Sequence, residues 1–100
     1  MKLQVHSIHF DADQKLIDFI QKKVEKLETF YDRVVDGEVF LRLNNEGVEN
    51  KTVEIKVRVP GSQLFATEKA RSFEAATDLA TEALRNQLAK FKTKQKEGRV

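Results

Sequence analysis

The sequence has no cysteine and no tryptophan, only one proline and four glycines, and no long apolar run. The absence of cysteine excludes a disulfide framework and thiolate chemistry. The N-terminal stretch "MKLQVHSIHF" lacks the continuous apolar core of a signal peptide. A membrane-spanning helix needs about 20 consecutive apolar residues, and the chain contains no such stretch. These absences predict a cytoplasmic protein without a membrane partner.

The composition is that of a globular domain. Of 100 residues, 40% are hydrophobic and 34% are charged, which differs from the charge-rich, apolar-poor composition of disordered chains. A chain of this length buries roughly 60 to 65% of its unfolded surface around one core. We expect residues 1–100 to form a single domain that is a monomer when free.

The apolar pattern changes its period along the chain and predicts elements in the order β-α-β-β-β-α. A first strand is expected to end near Phe10, and a helix capped by Asp13 carries an apolar stripe as far as Tyr31. Two antiparallel strands and a weaker third strand follow, with a tight turn at "VPGS", and Ser72 caps a second long helix. Because the strands are polar on one face, we predict an α+β fold whose four-stranded sheet carries both helices on the other face.

Positive charge is concentrated near the end of the chain. Residues 83–100 hold six basic residues and one acidic residue, a formal charge of +5. The preceding 82 residues hold twelve basic and fifteen acidic residues, a formal charge of −3. The overall charge of +2 therefore conceals a strong segregation, which is typical of a chain that binds a polyanion at one end.

The basic residues fall on definite flanks of the two predicted helices. At ~100° per residue, Lys22 and Lys26 share one flank of the first apolar stripe, and Lys23 lies at its edge. In the second helix the cations divide between two opposite flanks, with Arg85, Lys92 and Lys96 on one and Lys90 and Lys94 on the other. These five residues span ~16 Å of helix, several phosphate spacings of a nucleic acid. Like charges at i, i+4 repel, and an external anion would relieve them. The pattern favours nucleic-acid binding over its alternative, a merely solvated helix end.

A metal site is an alternative to nucleic-acid binding. The set His6, His9, Asp11 and Asp13 offers imidazole and carboxylate ligands close together in sequence. The two histidines lack a helical i, i+4 spacing, and Asp13 is needed as a helix cap. We therefore predict no metal.

Catalytic signatures are missing as well. The sequence has no nucleophile elbow and no phosphate-binding glycine loop, so we predict no enzyme activity, no cofactor and no small-molecule substrate. The strand motif of RNA-recognition folds and the Gly-x-x-Gly loop of KH domains are also absent. Phe40 and Phe65 are candidates for the open side of the sheet, where we expect edge packing rather than base stacking.

Three stretches carry a resemblance to a known family: "FIQKKVEKLE", "VPGSQLFA" and "RNQLAKFKTK". Together they resemble, over nearly the whole chain, the ribosome hibernation-promoting factors, also called ribosome-associated inhibitors and formerly labelled sigma-factor modulation proteins. The resemblance implies a fold similar to a double-stranded-RNA-binding domain with an added N-terminal strand. It also implies binding to the small ribosomal subunit and its ribosomal RNA, in the channel of messenger RNA and transfer RNA. Translation would then be silenced in stress and stationary phase.

Carried over position by position, the family's basic residues fall on six lysines: Lys22, Lys23, Lys26, Lys90, Lys92 and Lys94. The charge pattern adds Arg85 and Lys96 to this predicted RNA-binding set. Ala83 and Asn86 stand where family members often have lysine or arginine. The resemblance is to the short form, so no C-terminal dimerisation domain is expected. Two alternatives stay open, a generic double-stranded-RNA-binding module and a protein-interaction domain that modulates a sigma factor.

Overall fold

A computed structural model describes residues 1–44 and 47–97, with side chains as far as residue 94. Along this part of the chain the elements are β1 (Lys2–Ile8), α1 (Gln14–Glu25), α2 (Leu27–Phe30), β2 (Asp36–Leu43), β3 (Lys51–Val59), β4 (Ser62–Ala70) and α3 (Phe73–Glu97). The four strands form one sheet in the order β1-β2-β3-β4. Strand β1 runs parallel to β2, while the β2–β3 and β3–β4 pairs are antiparallel. The predicted α+β fold is confirmed.

The core lies between one face of the sheet and the helices. Alternate residues of β3, such as Ile55 and Val57, are fully buried on that face. Helix α3 meets them with small residues, Ala76 and Ala80, which let the helix backbone approach the sheet closely. Each fully buried aliphatic side chain of this size contributes roughly 1.5 to 3 kcal/mol. The helices are thereby fixed on one face, and the other face stays open.

Both predicted helix caps are confirmed. The Asp13 carboxylate accepts a hydrogen bond from the Leu16 backbone N–H at 2.8 Å, and the Ser72 hydroxyl oxygen accepts one from Ala75 N–H at 3.0 Å. Each cap satisfies a backbone donor that has no partner within its helix. These short-range contacts fix where α1 and α3 begin.

The first predicted helix differs from the structure at its end. It was expected to continue to Tyr31, but α1 ends at Glu25 and the short α2 follows after Lys26. The Lys26 carbonyl accepts hydrogen bonds from both the backbone N–H and the hydroxyl of Thr29, which closes a tighter turn there. The Tyr31 side chain is still buried in the core, because the change of direction between α1 and α2 does not move Tyr31 to the surface.

The first strand also ends earlier than expected, at Ile8 rather than near Phe10. The reason is His9, whose φ of 65° lies in the left-handed region and cannot continue a strand. The predicted turn between β3 and β4 is confirmed, since Gly61 follows Pro60 with a φ of 79°. None of the described helices has a stretch long and apolar enough to cross a lipid bilayer.

Candidate nucleic-acid interface

A groove of about 480 Å³ runs between the α1–α2 pair and α3. We call it the helix groove; the residues of its walls that matter here are Lys23, Lys26, Phe30, Asp78, Glu82 and Arg85. The α1–α2 pair and α3 lie side by side because their apolar stripes pack on the same face of the sheet. Their charged flanks therefore adjoin each other. The groove thus brings together three members of the predicted RNA-binding set.

Two carboxylates share the helix groove with these cations. Lys23 Nζ lies 3.1 Å from Asp78 Oδ1 and forms an ion pair with it, and Glu82 lies one turn further along α3. The Lys23 and Asp78 side chains are 36% and 54% exposed, so the pair contributes at most ~1 kcal/mol to stability. The groove therefore keeps a net positive charge and holds Lys23 through a weak contact that an incoming phosphate can replace.

Lys92 extends the cationic flank beyond the groove. Its Nζ donates a hydrogen bond to the Phe30 backbone carbonyl at 3.1 Å and lies 4.9 Å from the centre of the Phe30 ring. Phe30 is the last residue of α2, where the backbone carbonyls have no partner within the helix. Lys92 thus fastens α3 to the end of α2 in addition to carrying an exposed charge.

The other predicted site residues lie elsewhere. Lys22 points away from the groove, onto the outer face of α1, where it lies beside Lys15 and Phe19. Lys90 and Lys94 share a shallow exposed depression on α3, on the flank opposite Arg85 and Lys92. Lys96 belongs to α3, but its side chain lies outside the described residues. The predicted cations therefore occupy two sides of α3 and not one continuous surface.

Sequence reasoning missed the acidic wall of the helix groove. Asp78, Arg85 and Lys92 follow one another at i, i+7 and i+14, so they lie on one flank of α3. The same spacing that grouped Arg85 with Lys92 therefore extends back to Asp78. The sequence spacing could therefore have predicted that Asp78 lies beside Arg85. It could not have predicted that Lys23 of another helix approaches Asp78.

The metal hypothesis gains no geometric support. His6 contacts Glu38 at 3.1 Å and stacks on Phe40, while Asp13 caps α1. Within the part of the chain that the structure describes, no three histidine or acidic side chains are grouped closely enough to hold a metal ion.

A sequence profile of a known family matches residues 3–96, and its description reads "Sigma 54 modulation protein / S30EA ribosomal protein". The match includes all but the first residue of β1 and the last residue of α3, and it contains both walls of the helix groove. The chain belongs to this family. The family resemblance drawn from the three sequence stretches is thereby confirmed.

Relatives within the family differ in length. The Escherichia coli K12 ribosome hibernation promoting factor is 29% identical over 97 residues, which cover 97% of this chain and 99% of that protein. The Deinococcus radiodurans ribosome hibernation promotion factor is 30% identical over 95 residues, which cover 91% of this chain and 49% of that protein. The chain thus spans about half the length of the Deinococcus relative and nearly all of the Escherichia one.

Solved structures support the fold. A ribosomal subunit interface protein from Coxiella burnetii superposes with a TM-score of 0.84 at 24% identity, covering 93% of this chain and 99% of that one. The N-terminal domain of Thermus thermophilus Protein Y superposes with a TM-score of 0.79 at 24% identity, covering 91% and 99% of the two chains. The sheet order and helix placement described above are therefore those of known members of this fold.

Proposed function

We propose that this protein binds the small ribosomal subunit and its ribosomal RNA, and keeps the ribosome inactive by occupying the channel of messenger RNA and transfer RNA. The observation that carries the proposal is the relation, over almost the whole chain, to proteins named ribosome hibernation factors. A protein with this role works in the cytoplasm and needs no catalysis of its own. Its binding energy comes from contacts with RNA.

The helix groove supplies the chemistry for such contacts. Lys23, Lys26 and Arg85 present cations from two neighbouring helices, and Lys92 continues the flank toward α2. Phosphates of folded RNA are recognised by cations at fixed spacing, with shape deciding which RNA fits. The molecule measures 50 × 24 × 18 Å, an elongated body with its helices along one side. Inhibition would then be steric, because the bound protein occupies space that messenger RNA and transfer RNA need.

Charge reversal in the groove tests the proposal. We expect Lys23→Glu combined with Lys26→Glu to abolish co-sedimentation with the small subunit and inhibition of translation together. Each reversal replaces an attraction for phosphate with a repulsion. Lys26 is exposed and its reversal should change the free energy of unfolding by less than ~1 kcal/mol, whereas Lys23→Glu also loses the Asp78 ion pair, so circular dichroism is used to check that the double variant stays folded. Sucrose-gradient sedimentation and cell-free translation measure the two effects.

A matched control has the same net charge. Lys51→Glu combined with Arg71→Glu changes two cations where β3 begins and β4 ends, away from the helix groove, and should leave both activities near wild type. Retained inhibition in the groove variant would contradict the proposal. Equal affinity for ribosomes and for any RNA duplex would instead support the generic double-stranded-RNA-binding alternative.

A further inference from the structure

The side of the sheet that faces away from the helices carries two aromatic rings. Phe65 of β4 is 61% exposed and pairs across the ladder with Lys56 of β3. Phe40 of β2 lies on the same face and is half-buried. From strand spacing and rise, the two positions are ~12 Å apart. We call this side the open sheet face.

The acidic groups of the open sheet face are already paired. Asp36 forms an ion pair with Arg58, and this hydrogen bond raises the pKa of Arg58 above its usual value. Glu54 lies 3.8 Å from Arg42.

Glu38, the third carboxylate of this face, contacts His6 at 3.1 Å. Lys56 and Lys69 make no ion pair within the described residues. Lys56, opposite Phe65 in the ladder, and Lys69, further along β4, thus stay outside the ion pairs of a face whose strand carboxylates are all engaged.

Cations also surround the second ring. Lys56 Nζ lies 5.4 Å from the centre of the Phe40 ring, and the Arg42 guanidinium carbon lies 5.6 Å from it. The His6 ring stacks on Phe40 with 5.0 Å between ring centres. Aromatic rings with interleaved cations are the arrangement by which proteins hold unpaired bases and their phosphates.

The open sheet face continues around β4 onto α3. Gln87 Nε2 donates a hydrogen bond to the Phe65 backbone carbonyl at 2.9 Å, which places this flank of α3 against the edge of the sheet. Lys90 and Lys94 follow Gln87 at i+3 and i+7, so they extend along the same flank. The two lysines that the helix groove leaves out therefore adjoin the edge of the open sheet face.

We propose that the open sheet face, with Lys90 and Lys94 at its edge, binds single-stranded nucleic acid. A base stacks on Phe65, whose ring is exposed, while the Phe40 ring stays covered by His6 and holds Lys56 beside it, and phosphates contact the neighbouring lysines. The inference goes beyond the proposed function, because it assigns a second surface and a different ligand from the folded RNA at the helix groove.

The chemistry of the face favours this occupant over two others. A duplex hides the faces of its bases, so it cannot use an exposed phenylalanine ring for stacking. A protein partner needs an apolar contact core, from which lysine is usually excluded, whereas here Lys56 lies between the two rings and adjoins both. A single strand offers open base faces and negative charge together.

Fluorescence anisotropy with a labelled single-stranded adenosine oligoribonucleotide tests the proposal. Phe65→Ala should weaken binding about tenfold, within the range measured for losing one base stack. Phe65→Trp should bind at least as tightly as wild type, since it keeps an aromatic platform. Val48→Ala, which removes an exposed apolar side chain of the loop between β2 and β3, is the matched control and should leave the affinity unchanged.

A pair of equal-charge variants locates the surface. Lys56→Gln should weaken oligonucleotide binding several-fold more than Lys23→Gln, although both remove one positive charge. Unchanged affinity in Phe65→Ala, or equal effects of the two lysine variants, would overturn the proposal. Binding of inorganic polyphosphate as tight as that of the oligonucleotide would also overturn it, because it would show attraction by charge alone. Phe65-dependent binding of a protein but not of the oligonucleotide would overturn it as well. Ribosome co-sedimentation of the groove variants is scored separately, so either proposal can fail without the other.

Discussion

Asp78 places a negative charge among the cations of the helix groove, and its Lys23 contact is the only ion pair that the described residues make across the groove. A carboxylate in this position repels phosphate and competes for Lys23. It also limits how strongly the free protein attracts unrelated polyanions. A protein distinguishes one RNA shape from others better when its non-specific electrostatic affinity for any RNA is low.

At the scale of this residue, we predict that Asp78→Asn tightens binding to the small subunit. The dissociation constant should fall about fivefold, the equivalent of ~1 kcal/mol for one exposed charge interaction. Binding measured at fixed salt and magnesium gives the value. Asp11→Asn has the same net charge and changes a carboxylate outside the groove, so its affinity should stay at wild type. A weaker Asp78→Asn complex would mean that Asp78 contacts the ribosome directly.

Single residues also show what the sequence could predict. Asp13 and Ser72 were identified as caps because a cap depends on a donor three residues away, and local sequence contains that information. The position of Lys23 against Asp78 could not be predicted, since the two residues come from different helices. The relative rotation of those helices is set by the whole core.

Helix α3 does more than carry charge, because Lys92 joins it to the end of α2. A cation at a helix C-terminus interacts favourably with the free carbonyls there, and the Phe30 ring adds an attraction of similar size. Exposed lysines usually contribute little to stability. Lys92 differs because it has two specific partners.

At the scale of this element, we predict that Lys92→Ala lowers the free energy of unfolding by roughly 1 kcal/mol, the sum of those two contacts. Lys90→Ala should change it by less than about 0.5 kcal/mol, since Lys90 has no such partner in the described structure. Urea unfolding followed by circular dichroism measures both. Equal midpoints for the two variants would show that the Lys92 contact is absent in solution.

Elements differ in how far their limits could be predicted. Alternation identified β3 because every second residue is buried, yet alternation is the same in parallel and antiparallel pairs. Alternation therefore did not show that β1 and β2 are neighbours in the sheet, although their parallel direction follows from the helical connection once they are. The break at Lys26 was missed because the apolar stripe continues through it to Tyr31.

At the scale of the whole molecule, the fold decides which surfaces the segregated positive charge reaches. Residues 85–96 of the basic segment belong to the second half of α3, a helix of 25 residues that runs for ~37 Å. Among its described side chains, Arg85 and Lys92 lie on the side of the helix groove, and Lys90 and Lys94 on the side of the β4 edge. The sequence predicted how much charge lies there and on which flanks, but the neighbours of each flank came only from the fold.

We predict that binding to the small subunit weakens steeply with salt. Each phosphate neutralised by a lysine or arginine releases condensed counterion, so three groove contacts give a slope of about −2 to −3 in the logarithm of affinity against that of salt. A potassium chloride titration at constant magnesium measures the slope. Lys26→Gln should reduce its magnitude by about one, whereas a slope near zero would contradict the electrostatic account.

The hydrogen bond from Gln87 to Phe65 has a consequence for self-association. Strand β4 forms one border of the sheet, and a border strand offers its outward carbonyls and N–H groups to any passing chain. Gln87 occupies one of those carbonyls, and Lys69 places a charge further along the same strand. A second molecule would have to displace the amide and bury the charge to extend the sheet. At high protein concentration this border therefore resists growth into a cross-β aggregate.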